Sequence, residues 1–295
     1  MRLNPDGPVA LITAGWEEDE LAADRLHPLQ TELPEGSVNL ELFRRSEDLF
    51  LVDQPLIELL RERQDKLRHL REVYCLRLDN LLDAARHTLR RRDPLLNLQP
   101  EIQSAIGMLR ELDREYLLRT RQVCVDYDRQ LNVPQRPCVA AHRRELSEVL
   151  SKVQSLVIGG GHAAIILNRL RIFGVLDLAP HLPIVAWSGG AMALGEQVVL
   201  FHDSPPQGRG NAEVMRDGMS LFTDLLPLPD APQRLMLEDS YRVQLFCRRF
   251  DQTPCVVFDE QTLMDRHLGV WWISESTRCL TVAGQVLPVH QEAFQ

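Results

Sequence analysis

Apolar and polar positions along this chain follow two rhythms. In the first, short unbroken apolar runs are followed by small residues and then by a helical pattern. Ala10-Leu11-Ile12, Ser155-Leu156-Val157-Ile158 and Leu182-Pro183-Ile184-Val185 are such runs. Bounded by Gly or Pro and too short for a helix, they read as strands buried on both faces. After the second run, Ile165, Ile166, Leu167 and Leu170 recur at helical spacing. Strands alternating with helices predict an α/β fold, a mainly parallel sheet with helices on both faces. Strands are expected near 9–14, 38–43 and 137–140 and ending near Asp203 and Asp259, with a helix near 141–152 and closing strands between Val270 and Leu287.

The second rhythm occupies residues 53–131, where no strand pattern occurs. Leu60, Leu67, Tyr74 and Leu81 recur every seven residues, and Ile102, Leu109, Tyr116 and Val123 do so again. Asp93-Pro94 and Gln99-Pro100 separate the two series, so the segment predicts a long α-helical hairpin insertion. At ~1.5 Å per residue its arms reach ~50 Å. The expected organisation is therefore one α/β domain, residues 1–52 and 132–295, interrupted by a helical arm over 53–131. Leu59, Val73, Leu76, Leu78, Leu89, Leu117 and Leu118 lie off the seven-residue line. They need a further surface, which predicts a homodimer or a protein partner through residues 53–131.

Candidate chemistry concentrates where the strand runs end. Ala186-Trp187-Ser188-Gly189-Gly190-Ala191 follows the third run and places small residues two before and two after Ser188. A strand-to-helix turn that exposes a nucleophile needs that spacing, because neighbouring backbone comes close on both sides. The expectation is an elbow at the carboxyl end of a central strand. The helix that follows aims its first N–H groups and positive dipole end at the serine. The second run ends in Gly159-Gly160-Gly161-His162, where backbone amides can approach a ligand as an oxyanion hole requires. Two such units side by side fit the general rule that α/β sheets bind at the carboxyl ends of their strands.

These motifs together resemble the dipeptidase E and cyanophycinase serine peptidases, which share the class I glutamine amidotransferase-like, flavodoxin-like fold. Their pattern is a strand ending in a Gly-Gly-Gly-Asn-type turn, followed by a Trp-Ser-Ala-Gly-Ala-type elbow. A strand ending in Asp, a Pro-Leu segment carrying the catalytic His, and an acid-bearing strand end come after. Here Gly159 to Gly161, Trp187 to Ala191, Phe201-His202-Asp203 and Val256-Val257-Phe258-Asp259-Glu260 stand in that order, and Ala10 to Gly15 resembles the first strand. The likeness spans roughly residues 8–44 and 137–290. It implies a serine peptidase that cleaves a peptide or isopeptide bond near an acidic residue. Ser188 would be the nucleophile, Gly160, Gly161 and Gly189 the oxyanion site, Glu260 the acid and Asp203 a second carboxylate.

One departure changes that picture. Leu226-Pro227-Leu228-Pro229 leads into Asp230, Ala231, Pro232 and Gln233, and no histidine occurs between His202 and His267. Glutamine cannot take and return a proton near neutral pH, and a serine hydroxyl without a base is a poor nucleophile. His162, standing where the family has Asn, is the expected substitute; His202, His267 and His290 are alternatives. The same gap supports a second class, a catalytically inactive relative that binds or scaffolds through the helical arm.

Composition narrows the classes further. Net charge is −9, with fifteen basic against fourteen acidic residues in 53–131 and eighteen against twenty-eight elsewhere. Arg90-Arg91-Arg92 is thus balanced locally, and nucleic-acid binding is not expected. No apolar stretch approaches ~20 residues, so no membrane span is expected. The six cysteines lack metal-type spacing and read as free thiols of a cytoplasmic protein. No cofactor or metal is expected, and the partner of the site is a small peptide-like substrate.

Overall fold

The computed structural model describes residues 7–202 and 210–294. The chain forms two compact units, one of residues 1–65 with 123–194, the other of residues 66–122 with 195–295. The division falls inside both long helices rather than at their ends, so each unit owns part of the 53–131 segment.

The first unit opens with β1 (Val9–Ile12), α1 (Ala23–Glu32), β2 (Val38–Asn39) and α2 (Leu42–Val52). It takes in the start of α3 (Gln54–Arg90) and the end of α4 (Gln99–Leu131). Then come α5 (Pro137–Leu150), β3 (Ser155–Ile158), α6 (Ala163–Phe173), α7 (Val175–Leu178), β4 (Ile184–Ala186) and α8 (Gly189–Leu194). Its four strands form one parallel sheet in the order β2-β1-β3-β4. Val9, Leu11 and Val157 share one face with Leu26 of α1, while Ala10, Ile12, Leu156 and Ile158 alternate onto the other and are equally buried. Burial on both faces is why these runs are continuously apolar.

Two expectations are corrected here. The run at 137–140 is the first turn of α5, because Pro137 opens a helix and Val139, Leu146 and Leu150 make its buried stripe. Among the described residues the elbow strand β4 pairs only with β3 and stands at the edge of this sheet rather than at its centre.

The second unit contains β5 (Gln197–Leu200), β6 (Glu213–Asp217), β7 (Leu226–Pro229), α9 (Ala231–Arg234), α10 (Ser240–Arg249) and β8 (Cys255–Phe258). It ends with β9 (Met264–His267), β10 (Val270–Ile273), β11 (Arg278–Leu280) and β12 (Val286–Pro288). Its main sheet runs β12-β11-β8-β7, and only β7 and β8 are parallel; β5–β6 and β9–β10 are antiparallel ribbons. The mainly parallel expectation therefore holds for the first unit and not for the second.

The long helices run antiparallel, with Arg63 meeting Asp128 and Arg77 meeting Glu115. On α4 the seven-residue positions Ile102, Leu109 and Tyr116 are buried together with the interleaved Ile106 and Leu112, and Val123 is half-buried. On α3 Tyr74 is buried and Leu60, Leu67 and Leu81 are half-buried. Of the off-line residues, Leu78 is buried while Val73, Leu76 and Leu118 are exposed. In the second unit Tyr74 stacks on Tyr116 with centroids 4.1 Å apart. Arg249 forks onto Asp113 with two bonds of 2.6 Å and donates to Tyr74 Oη at 2.9 Å.

Candidate functional site

The candidate site is built in the first unit, where three loops leave the parallel strands at one end. Register fixes their approach, since Ile12 pairs with Ile158 and Ile158 with Ala186. Each loop is then tied to its neighbour through backbone. Gly159 N donates to Ile12 O at 2.8 Å, His162 N to Gly15 O at 2.8 Å, and Trp187 N to Ile158 O at 3.3 Å.

Ser188 sits at the crossing. Its φ is +49°, in the left-handed region a non-glycine residue rarely adopts, and such conformations persist only where the surroundings impose them. The surroundings are the Gly159-Gly160-Gly161 turn. A β-carbon built on Gly160 would lie 2.9 Å from Ser188 Cβ and 3.2 Å from its Oγ. One on Gly189 would lie 2.2 Å from Gly161 O, and one on Gly190 2.6 Å from Gly159 O. Glycine at these positions is a condition of the close approach.

The turn itself presents donors. Gly161 has φ +101°, and neither the Gly160 nor the Gly161 amide donates to an acceptor among the described residues. Gly189 is the first residue of α8, and its own amide donates to no acceptor among the described residues, whereas Gly190 N and Ala191 N donate to Trp187 O. Ser188, Gly160, Gly161 and Gly189 are thus brought together, with His162 one residue beyond the glycines.

The proton-handling residues are placed less favourably. His162 is exposed at the N-terminus of α6, with its backbone held by Gly15 and its ring making no capping bond. Among the described residues, no side chain hydrogen-bonds to Ser188 Oγ. Glu260 and Gln233 belong to the second unit and are both exposed. There the parallel pair β7–β8 sets their turns side by side, with Asp230 N donating to Phe258 O at 2.9 Å. His202, His267 and His290 are exposed residues of the same unit. Asp203 lies outside the described residues.

The neighbouring carboxylate Asp259 closes its own turn. It accepts from Gln261 N at 3.0 Å, Thr262 Oγ1 at 2.9 Å and Arg278 at 2.8 Å. Burial alone would raise its pKa, and these bonds outweigh that and hold it below the usual carboxylate range. Asp259 is therefore committed to the loop, leaving Glu260 as the uncommitted member of the pair.

Two supports of the site escaped sequence reasoning. Gly15 packs against the triple-glycine turn, so closely that a β-carbon on it would lie 2.6 Å from Gly160 O. Glu20 is buried, and its two oxygens accept Phe43 N at 3.1 Å and Arg44 N at 2.9 Å, capping α2 from outside that helix. Burial pushes the Glu20 carboxyl above its ordinary value despite those bonds. A glycine just after β1 was a usable signal. A cap supplied by a residue more than twenty positions away was not.

Comparison with known proteins adds little. No protein-family model matches the chain, and no curated protein matches it. Among solved structures, a crystal structure of a peptidase from an acI-B1 Actinobacterium aligns with 59% of this chain and 78% of its own. Identity is 12% and the TM-score 0.35, values at which the likeness decides neither fold nor chemistry. Among the described residues no helix is long and apolar enough to cross a membrane, and no cluster of metal-ligating side chains occurs.

Proposed function

We propose that the chain is a serine-type hydrolase of peptide or isopeptide bonds with Ser188 as its nucleophile. The observation that carries this reading is the left-handed Ser188, pressed against Gly160 at the carboxyl ends of two parallel strands. In the reaction, Ser188 Oγ attacks the substrate carbonyl carbon while its proton passes to a base. The carbonyl oxygen becomes an oxyanion within reach of the Gly160 and Gly161 amides. The C–N bond then breaks, the departing amine takes the proton, and water hydrolyses the acyl-enzyme by the reverse path. His162 is the base in this reading, and the sequence resemblance assigns the orienting acid to Glu260. The preference for a bond beside an acidic residue rests on that resemblance alone.

The test is hydrolysis of a panel of aspartyl dipeptides and β-aspartyl isopeptides, followed by amine release. Ser188→Ala should abolish turnover, and His162→Ala should lower it by about 10²–10⁴-fold. Full activity in His162→Ala would remove His162 from the role. Absence of turnover on every member would favour the second reading, a binding protein that retains the elbow. That reading has its own support in Ser188 Oγ having no hydrogen-bonded base among the described residues.

A further inference from the structure

Ser188 stands beside an apolar surface that the bond-breaking steps do not use. Trp16 follows Gly15 in the loop after β1, and Trp187 precedes Ser188 in the elbow. Both indoles are half-buried and pack on the cluster of Val9, Leu11, Leu26 and Val157. Leu29 of α1 and Leu33 just beyond it, also half-buried, pack on the same cluster. Trp187 lies along the glycine turn. The β-carbon position of Gly160 is 3.2 Å from Ser188 Oγ and 3.4 Å from Trp187 Cδ1, and that of Gly159 is 3.6 Å from Trp187 Cζ2. The ring edge that carries Nε1 therefore runs beside the turn and borders the nucleophile.

These rings are open to a ligand. Among the described residues neither indole contacts another ring or a cation, and neither indole N–H has an acceptor. Neither N–H is among the buried unpaired atoms, so both reach solvent. An indole with a packed apolar body and a wet polar edge is the usual form of tryptophan at a binding surface. Charge narrows what that surface can take. The three loops that meet at Ser188, residues 13–22, 159–162 and 186–190, contain no lysine or arginine, and Glu17, Glu18 and Asp19 follow Trp16 directly. An acidic side chain laid on the indoles would lose water and find no counter-charge in those loops, whereas an apolar one loses nothing by leaving water.

Resting on the hydrolase reading of Ser188, we propose that Trp16, Trp187, Leu29 and Leu33 form an apolar subsite of that site. It takes an aromatic or large aliphatic side chain from one of the two residues flanking the scissile bond. An acidic residue, where the substrate carries one, lies on the other side of that bond.

Isothermal titration of the Ser188→Ala protein with Asp-Phe, Phe-Asp, Asp-Ala, Ala-Asp and Asp-Asp tests the assignment without turnover. One of the two Phe peptides should bind at least about tenfold more tightly than its Ala counterpart and than Asp-Asp, and its sequence tells which side of the bond the subsite serves. Trp16→Ala in the same background should remove that advantage, and Trp16→Phe, which keeps a ring, should retain most of it. If circular dichroism shows Trp16→Ala unfolded, the five-peptide comparison decides. The proposal is overturned if no peptide binds, if neither Phe peptide exceeds its Ala counterpart, if Asp-Asp binds as well, or if folded Trp16→Ala keeps the full advantage. Failure of the wild type to react with a fluorophosphonate is a separate result that sinks the hydrolase reading itself.

Discussion

Replacing Gly160 with alanine adds one carbon beside the candidate nucleophile, and the structure says which atoms it meets. The new Cβ would sit 2.9 Å from Ser188 Cβ, 3.2 Å from Ser188 Oγ and 3.4 Å from Trp187 Cδ1. Gly160 is not among the residues with positive φ, so its backbone admits alanine without strain. Taken alone, that substitution would stabilise by about 0.4–1 kcal/mol through the unfolded chain. Overpacking against a side chain fixed in the left-handed region opposes it by about 1–3 kcal/mol. Now let Ser188→Gly be made first. The two nearest atoms disappear, the third is an ordinary contact, and glycine accepts the +49° φ at no steric cost. Gly160→Ala should then be neutral or mildly stabilising. The four members of this cycle, unfolded in urea and followed by tryptophan fluorescence, should give a coupling of about 1–3 kcal/mol between the two positions. A coupling below about 0.5 kcal/mol, the level at which distant sites already add, would mean that Gly160 and Ser188 are not in contact.

Three other outcomes follow from named contacts. Asp113→Asn leaves the Arg249 guanidinium, whose side chain is 2% exposed, without its counter-charge and should cost about 3–5 kcal/mol in urea unfolding. The Asp113→Leu/Arg249→Met double variant should recover at least about 1 kcal/mol of that loss, and a double no more stable than the single would contradict the pairing. Asp259 has its folded pKa below the ordinary 3.8, so its contribution is present above that pH and lost as pH falls through the lower folded value. The stability gap between wild type and Asp259→Asn should accordingly narrow between about pH 5 and pH 2, and a gap independent of pH would refute the assignment. Gly161→Ala combines φ +101° with a Cβ 2.2 Å from Gly15 O, and should lower the melting temperature far more than Gly160→Ala.

The parallel sheet of the first unit was legible because its strands are buried on both faces and therefore continuously apolar. Val9 to Ile12 and Ser155 to Ile158 carry that signal without interruption. The elbow was legible for a related reason, since close backbone approach around Ser188 excludes side chains and leaves glycine in the sequence. What misled is equally physical. The apolar residues after Pro137 suit a strand or a helix over so short a stretch, and only the continuation to Leu146 and Leu150 decides for a helix. Within 53–131 the seven-residue count found the buried face of α4, at Ile102, Leu109 and Tyr116, while on α3 it reached full burial only at Tyr74. The pairing of Arg249 with Asp113 joins residues 136 positions apart and leaves no local trace.

The central claim, that Ser188 is a nucleophile, is tested most directly by intact-protein mass spectrometry after reaction with a fluorophosphonate. A reactive serine should give one phosphonyl adduct per chain, mapped to the peptide containing Ser188 and absent from Ser188→Ala. No adduct on the folded wild-type protein, or an adduct that persists in Ser188→Ala, would contradict the account.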